Sequence, residues 1–452
     1  MDDTTRQIVR YVSSCSESIL TGPVTDALGN IMVDAMAALV AGFESEPARI
    51  CARLAQSTRS DLKSTVLGYG VTTSPELAAF ANGCMLRYAD FNDEALGAGA
   101  GHGSDIISGI LAIGEAFHST GTQVMVAVAL GYEIIGALAD ARPGIGWDSW
   151  YEGPAAAMAV GKLLGLNEDQ LANALSLALV PHMPMSVRGD HFSHWKGCHS
   201  SEAVRCAVWA NLLVREGMTG PSQPFEAKHG VFDHNVPFRK ELRLPEASAD
   251  GLMNVQRVGF KRFPAVDSAQ SILEVIPQIR AWTRVDDIES IHVEVPLDVL
   301  EGSADPAKWD PRNPETADHS QPYIIARALI DGKIYLDSFA PQKLTDLGAK
   351  RLMEKITVAS NPSFNTGDAL LTVRRRGEPP VRQFTAPHGA GTFETPMSHE
   401  EVVAKFNRVC AFRSVADAQR DRARETWANL KAVRDIAEPM RALAKFGRPL
   451  PL

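Results

Sequence analysis

The chain lacks the marks of several protein classes, and these absences narrow its function before any motif is read. It has no basic surplus: 45 Lys and Arg stand against 54 Asp and Glu, a formal net charge of -9. Neutralising a phosphate backbone needs the opposite balance on at least one face, so nucleic acid is not an expected partner. The six cysteines (Cys15, Cys51, Cys84, Cys198, Cys206, Cys410) contain no CxxC pair. A chain of 452 residues needs no disulfide staples, so reduced thiols and a cytoplasmic location are expected. The opening residues carry Asp2 and Asp3 where a secretory leader would carry basic residues followed by an unbroken apolar run. The most apolar stretches, such as Val124 to Leu138, are interrupted by Gly131, Tyr132 and Glu133, short of the roughly 18 to 20 clean apolar residues of a membrane span. No membrane association is expected, and neither a repeat nor a low-complexity tract is found.

What is present is a hydrophobic content of 45%, enough for two cores. Val24, Leu28, Ile31, Met32, Ala35, Met36, Leu39 and Val40 recur at three and four residues and predict a helix. Ser74-Pro75-Glu76 reads as a helix start, and Asn167 with Gln170 as a capping box for a helix running to Val180. Further helices are expected from Ser104, Gly121, Glu152 and Ser200, packed closely because alanine is frequent. Period-two alternation is almost missing before about residue 265 but appears at Ile291, Val293, Val295 and at Ala369, Leu371, Val373; Lys355 to Val358 is also strand-like. Between them Pro322 to Asp331 predicts a helix ending at Gly332, and helical signals return from Ser398 to Lys445. The expectation is mainly α: a helical domain over 1–268, an α+β domain over 269–395, and C-terminal helices over 396–452 that rejoin the first.

The run from Gly97 to Gly103 matches neither a dinucleotide fingerprint nor a phosphate-binding loop; it is either a flexible connection before the helix at Ser104 or a mobile loop that brings His102 to a ligand. His191, His194, Cys198 and His199 lie close in sequence but follow no standard zinc spacing, so no metal is expected. No GxSxG elbow is present, which argues against a nucleophilic hydrolase.

Several segments together resemble the MmgE/PrpD family. They are Arg87 to Asp93 (RYADFND) with His102 to Asp105 (HGSD), Gly131-Tyr132-Glu133, Gly146-Trp147-Asp148, and Gly161 to Leu166. Downstream follow Trp195-Lys196-Gly197, Arg215 to Pro221, Phe260 to Ala265 (FKRFPA), Trp309-Asp310-Pro311 and Thr316 to Ser320. The resemblance implies a large helical domain built from both chain ends, a smaller α+β lid domain, a homodimer, and an active site that needs neither metal nor organic cofactor. It assigns Asp90, His102, Lys196 and Lys261 to the catalytic pocket. Asp93, Trp147, Asp148, Tyr151, His199 and Arg262 are the candidate substrate contacts.

The residue types suit elimination of water from a β-hydroxy acid. The reaction needs a base for the proton beside a carboxylate, an acid for the departing hydroxyl, and cations for the remaining carboxylates. His102 is the expected proton-transfer group, oriented by Asp90 or Asp93, with positive charge from Lys196 and Lys261. Asp318-His319-Ser320 reads as a helix-capping cluster. The chain departs from the family pattern at Ser149 and Ser268, where imidazoles are common, and at Glu94, where threonine is common. The resemblance implies a 2-methylcitrate dehydratase-like lyase, and the missing imidazoles keep a decarboxylase of a cis-aconitate-like acid or an epimerase of an iminodisuccinate-like acid as alternatives. A protein that binds a carboxylate without turning it over is the alternative of another class.

Overall fold

A computed structural model describes residues 1–96, 101–141, 150–182, 191–233, 242–244, 252–365, 367–386 and 392–448. The apolar stripe read from Val24 becomes the helix Gly22–Gly42, buried along most of its length. Pro75–Tyr88, Ile107–Ala116, Gly121–Ala141, Glu152–Leu163, Glu168–Leu179 and His199–Arg215 join it in one continuous apolar cluster. Each fully buried Leu or Ile stabilises such a core by about 1.5–3 kcal/mol. Close approach depends on small residues: a Cβ on Gly42 would lie 1.9 Å from the Met85 carbonyl oxygen. The expected cap at Asn167 forms as a reciprocal box with Gln170.

Gly22–Gly42 and Gly121–Ala141 correct one expectation, for both are long and apolar enough to span a bilayer. Their apolar length is explained by burial, since 78% and 94% of the respective windows lie inside the protein. A second correction concerns the N-terminal half, where Ser64–Val66 pairs with Val71–Thr73 and Ala95–Leu96 with Gly101–His102. These ribbons are too short to show alternation.

A separate apolar cluster runs from Ala265 to Ala386. Its four-stranded sheet has the order Ile356–Ser360, Ile288–Val295, Ala369–Arg375, Val381–Ala386, with the first pair parallel and the others antiparallel. Helices Asp267–Trp282 and Gln321–Asp331 belong to the same cluster, the latter ending at Gly332 with φ 78°, a left-handed cap that suits glycine. After the sheet the chain returns: Val402, Phe406 and Val409 of helix His399–Phe412 lie in the first cluster. That return is fixed by a buried ion pair, in which Lys405 Nζ donates to Asp34 Oδ1 and to the Phe91 carbonyl, both at 2.6 Å. Phe91 adjoins Asp90, so the C-terminal helix braces the segment on which the candidate site is built.

Candidate active site

Helix Pro75–Tyr88 carries Arg87 in its last turn, and two residues past its end Asp90 takes a left-handed backbone, φ 48°. Aspartate is among the few side chains that tolerate this region, and the turn aims its carboxylate back toward the helix end. Arg87 Nη1 donates to Asp90 Oδ1 at 2.7 Å and to Asn92 Oδ1 at 3.2 Å, while Arg87 Nε lies 3.5 Å from Asp105. Lys261 Nζ reaches Asp90 Oδ1 at 3.1 Å and Asp267 at 2.9 Å. On the other side His319 Nε2 stands 3.8 Å from Asp90 Oδ2, and its Nδ1 bonds Asp318 at 2.7 Å. Asp318 also accepts a 2.8 Å hydrogen bond from Lys196 Nζ. A continuous charged junction thus joins residues 87 to 105, 196, 261 to 267 and 318 to 319.

Most of this junction is buried: Arg87, Asp90, Lys196, Lys261, Asp318 and His319 are each under 9% exposed. Burial alone drives the Asp90 carboxyl up, but Lys196, Lys261, His319 and Arg87 together carry it well below the ordinary range. Burial likewise works against the Lys261 ammonium, and Asp267 and Asp90 outweigh it, raising its pKa. His319 goes the other way: burial and the Lys196 charge push its pKa down to about 4, against the pull of Asp318 and Asp90. It is a neutral ring at physiological pH.

His102 ends the short strand Gly101–His102. Its Nδ1 lies 2.9 Å from the Asp93 carbonyl oxygen. A carbonyl can only accept, so Nδ1 carries the hydrogen and Nε2 holds the lone pair. Burial, Arg87 and Lys261 push the imidazole pKa well below its ordinary value, so the ring is neutral and Nε2 is unprotonated. The Asp93 carboxylate is consumed within the protein: Ser104 N–H donates at 3.0 Å, Tyr132 Oη at 2.8 Å, and Ser104 Oγ also donates. Gly103 permits this, because a Cβ there would sit 2.1 Å from the Tyr132 ring. Asp93, expected among substrate contacts, therefore acts in the structure as the anchor that sets the His102 backbone and ring.

The remaining expected residues are dispersed. Tyr151 is buried just ahead of helix Glu152–Leu163 and would meet a Cβ on Gly101 at 3.1 Å, so its ring packs beside the strand bearing His102. His199 opens helix His199–Arg215, half-buried, three residues after Lys196. Arg262 Nη1 pairs with Glu401 at 2.8 Å and Nε faces Glu274 at 3.8 Å, away from Asp90. Trp147 and Asp148 lie outside the described residues, as do Ser149 and Gly97 to Ala100. Among the described residues no group of three His, Cys, Asp or Glu side chains could hold a metal ion. A cavity of about 310 Å³ opens beside the junction, lined by Tyr88, Ala89, Pro264, Asp318 and Arg413 among others; Asp318 is the member of the ion network that reaches it.

Sequence reasoning did not single out Arg87, Asp105 or Asp318, and it read His319 as part of a cap. Arg87 lies inside a quoted motif and Asp318-His319 inside another, but their meeting across more than two hundred residues has no local signal. Glu94 was noted only as a departure. Its carboxyl is half-buried, and burial with the negative charge of Asp267 raises its pKa to about 8, against the pull of Lys261.

Comparison with known proteins agrees in both halves of the chain. Residues 6–240 match the MmgE/PrpD N-terminal domain, and residues 263–430 match the MmgE/PrpD C-terminal domain. The chain is 25% identical over 414 residues to human cis-aconitate decarboxylase, covering 86% of this chain and 83% of that protein. It is 29% identical over 358 residues to 2-methylcitrate dehydratase of Salmonella typhimurium, covering 72% and 71%. It is 27% identical over 402 residues to 2-methylcitrate dehydratase of Cupriavidus necator, covering 80% and 78%.

Proposed function

The chain belongs to the MmgE/PrpD family, and from that premise we propose that it is a lyase that eliminates water from a small β-hydroxy di- or tricarboxylic acid, in the manner of 2-methylcitrate dehydratase. One observation carries the reading: a neutral imidazole with its basic nitrogen unprotonated adjoins a buried junction that holds two lysines. His102 Nε2 takes the proton from the carbon beside a substrate carboxylate. An ammonium group has three N–H donors; Lys196 gives one to Asp318, and Lys261 lies within ion-pair distance of Asp90 and Asp267, so each retains capacity for a substrate carboxylate. Asp90 keeps Lys261 charged and in place, while Asp318 holds Lys196. General base catalysis of this kind is worth about 10²–10⁴-fold in rate.

The same groups also support decarboxylation of a cis-aconitate-like acid, a reading favoured by the similarity to the human decarboxylase over 86% of this chain. The deciding experiment is a mass-spectrometric screen of the purified protein against citrate, 2-methylcitrate, cis-aconitate and iminodisuccinate, followed by deuterium exchange. Loss of water from either hydroxy acid is the expected result. Release of carbon dioxide from cis-aconitate would move the reaction to the second reading, and no change in any of the four acids would remove both.

A further inference from the structure

Glu94 sits where two backbone pairings meet. Its N–H donates to the Gly259 carbonyl at 2.9 Å, Asp93 before it bridges Phe260, and Ala95 after it pairs with His102. The residue is thereby held between the strand that bears His102 and the segment that leads into Lys261. Its half-buried carboxyl receives no hydrogen bond from a described residue. The charged groups facing it are Asp267, Lys261, Glu394 and Asp93, three acids and one base. That one base is already committed to Asp90 and Asp267. A third carboxyl beside one shared lysine has no cation of its own, and two nearby carboxyls resist being ionised together. The carboxyl accordingly keeps its proton at neutral pH, with a pKa near 8.

We propose that Glu94 is a catalytic residue, the acid that protonates the departing hydroxyl, acting on the same ligand as the His102 base. The role rests on the elimination reading above. His102 Nε2 takes a proton from the carbon beside a carboxylate, and that C–H electron pair becomes the second bond of the new C=C. The neighbouring C–O bond breaks with its pair on oxygen, the Glu94 proton joins that oxygen, and water leaves. Glu94 is left as a carboxylate beside Lys261, and exchange with solvent restores both groups.

The test compares Glu94→Gln and Glu94→Asp with the unsubstituted enzyme on the acid the screen identifies. In Glu94→Gln, kcat is expected to fall by about 10²–10³-fold with KM changed little, and Glu94→Asp to recover part of the loss. In the unsubstituted enzyme kcat declines as pH rises through about 8, where the donor loses its proton, and Glu94→Gln lacks that limb. Carbon-13 NMR of glutamate-labelled protein supplies a readout independent of turnover: one carboxyl titrating near pH 8, missing in Glu94→Gln. A Gln variant with unchanged kcat and an intact alkaline limb, or no carboxyl signal near pH 8 that disappears in Glu94→Gln, would overturn the assignment while leaving the elimination reading standing. An unsubstituted enzyme inactive on every hydroxy acid would instead remove that reading and the donor role with it.

Discussion

Two buried aspartate–lysine pairs touch the adjacent residues Asp90 and Phe91 and behave in opposite ways. Asp34 and Lys405, at 2.6 Å, join the N- and C-terminal helices; Asp90 and Lys261, at 3.1 Å, lie in the candidate site. The tighter pair is the less ionised. Burial raises the Asp34 carboxyl to about 6 against one principal cation, and its second oxygen receives no hydrogen bond from the described residues. Burial likewise lowers Lys405. Asp90 is as deeply buried, yet Lys196, Lys261 and Arg87, with the His319 ring beside them, hold it well below the ordinary range. Charge in a protein interior is thus set by how many partners surround a group rather than by its shortest contact. The brace needs only to hold two helices, whereas the site keeps its charges for use.

The difference can be broken most visibly by neutralising each pair as a unit. Asp90→Asn with Lys261→Met is expected to lower kcat/KM by about 10³-fold or more, since it removes the organiser and one substrate cation. Asp34→Asn with Lys405→Met should leave kcat/KM within about tenfold and stability within about 2 kcal/mol, because apolar replacement of a buried pair is often nearly neutral. Equal losses of activity in the two double variants would erase the distinction. Truncating one partner is harsher on the fold: Lys405→Ala leaves Asp34 buried without its cation and should cost about 3–5 kcal/mol in urea unfolding.

The pairs also differ in pH response. An unfolded Asp34 loses its proton near its ordinary value, about 4, and the folded one near 6, so between those values the native state binds the extra proton and this group makes stability fall as pH rises. Asp90 has the opposite sign: its contribution is complete above the ordinary value and is lost only as pH falls through its lowered one. Urea unfolding at several points from pH 4.5 to 6 should show that Asp34→Asn removes a downward slope amounting to a few kcal/mol, on the order expected for two pKa units. An unchanged slope would mean that Asp34 is ionised throughout. The smallest effect is expected at Tyr132→Phe, which removes one hydrogen bond to Asp93, costs about 1 kcal/mol, and lowers kcat through looser placement of His102.

The helices were legible because their signals are local. The stripe from Val24, the box at Asn167 and the glycine at 332 each announce themselves within a few residues, and the strands Ile288–Val295 and Ala369–Arg375 alternate as a half-buried sheet must. The strand Val381–Ala386 was not read, since it exposes four of its six residues at the sheet edge and carries almost no pattern. In the site, Asp90, Lys196 and Lys261 were reachable through motifs. His319 and Asp318 were not read as site residues, because their importance comes from meeting Asp90 and Lys196 across 229 and 122 positions, respectively. The state of Glu94 is likewise hidden from sequence, for the same carboxyl on an open surface would titrate near 4.

The return of helices His399–Phe412 and Asp417–Ala428 to Gly22–Gly42 has a consequence in time. A ribosome makes residue 34 long before residue 405, and until then helix Gly22–Gly42 shows the cell a bare apolar flank and an aspartate whose lysine does not yet exist. Through most of synthesis the nascent protein must be shielded or stay loose, and its closure waits for the helices from His399 onward.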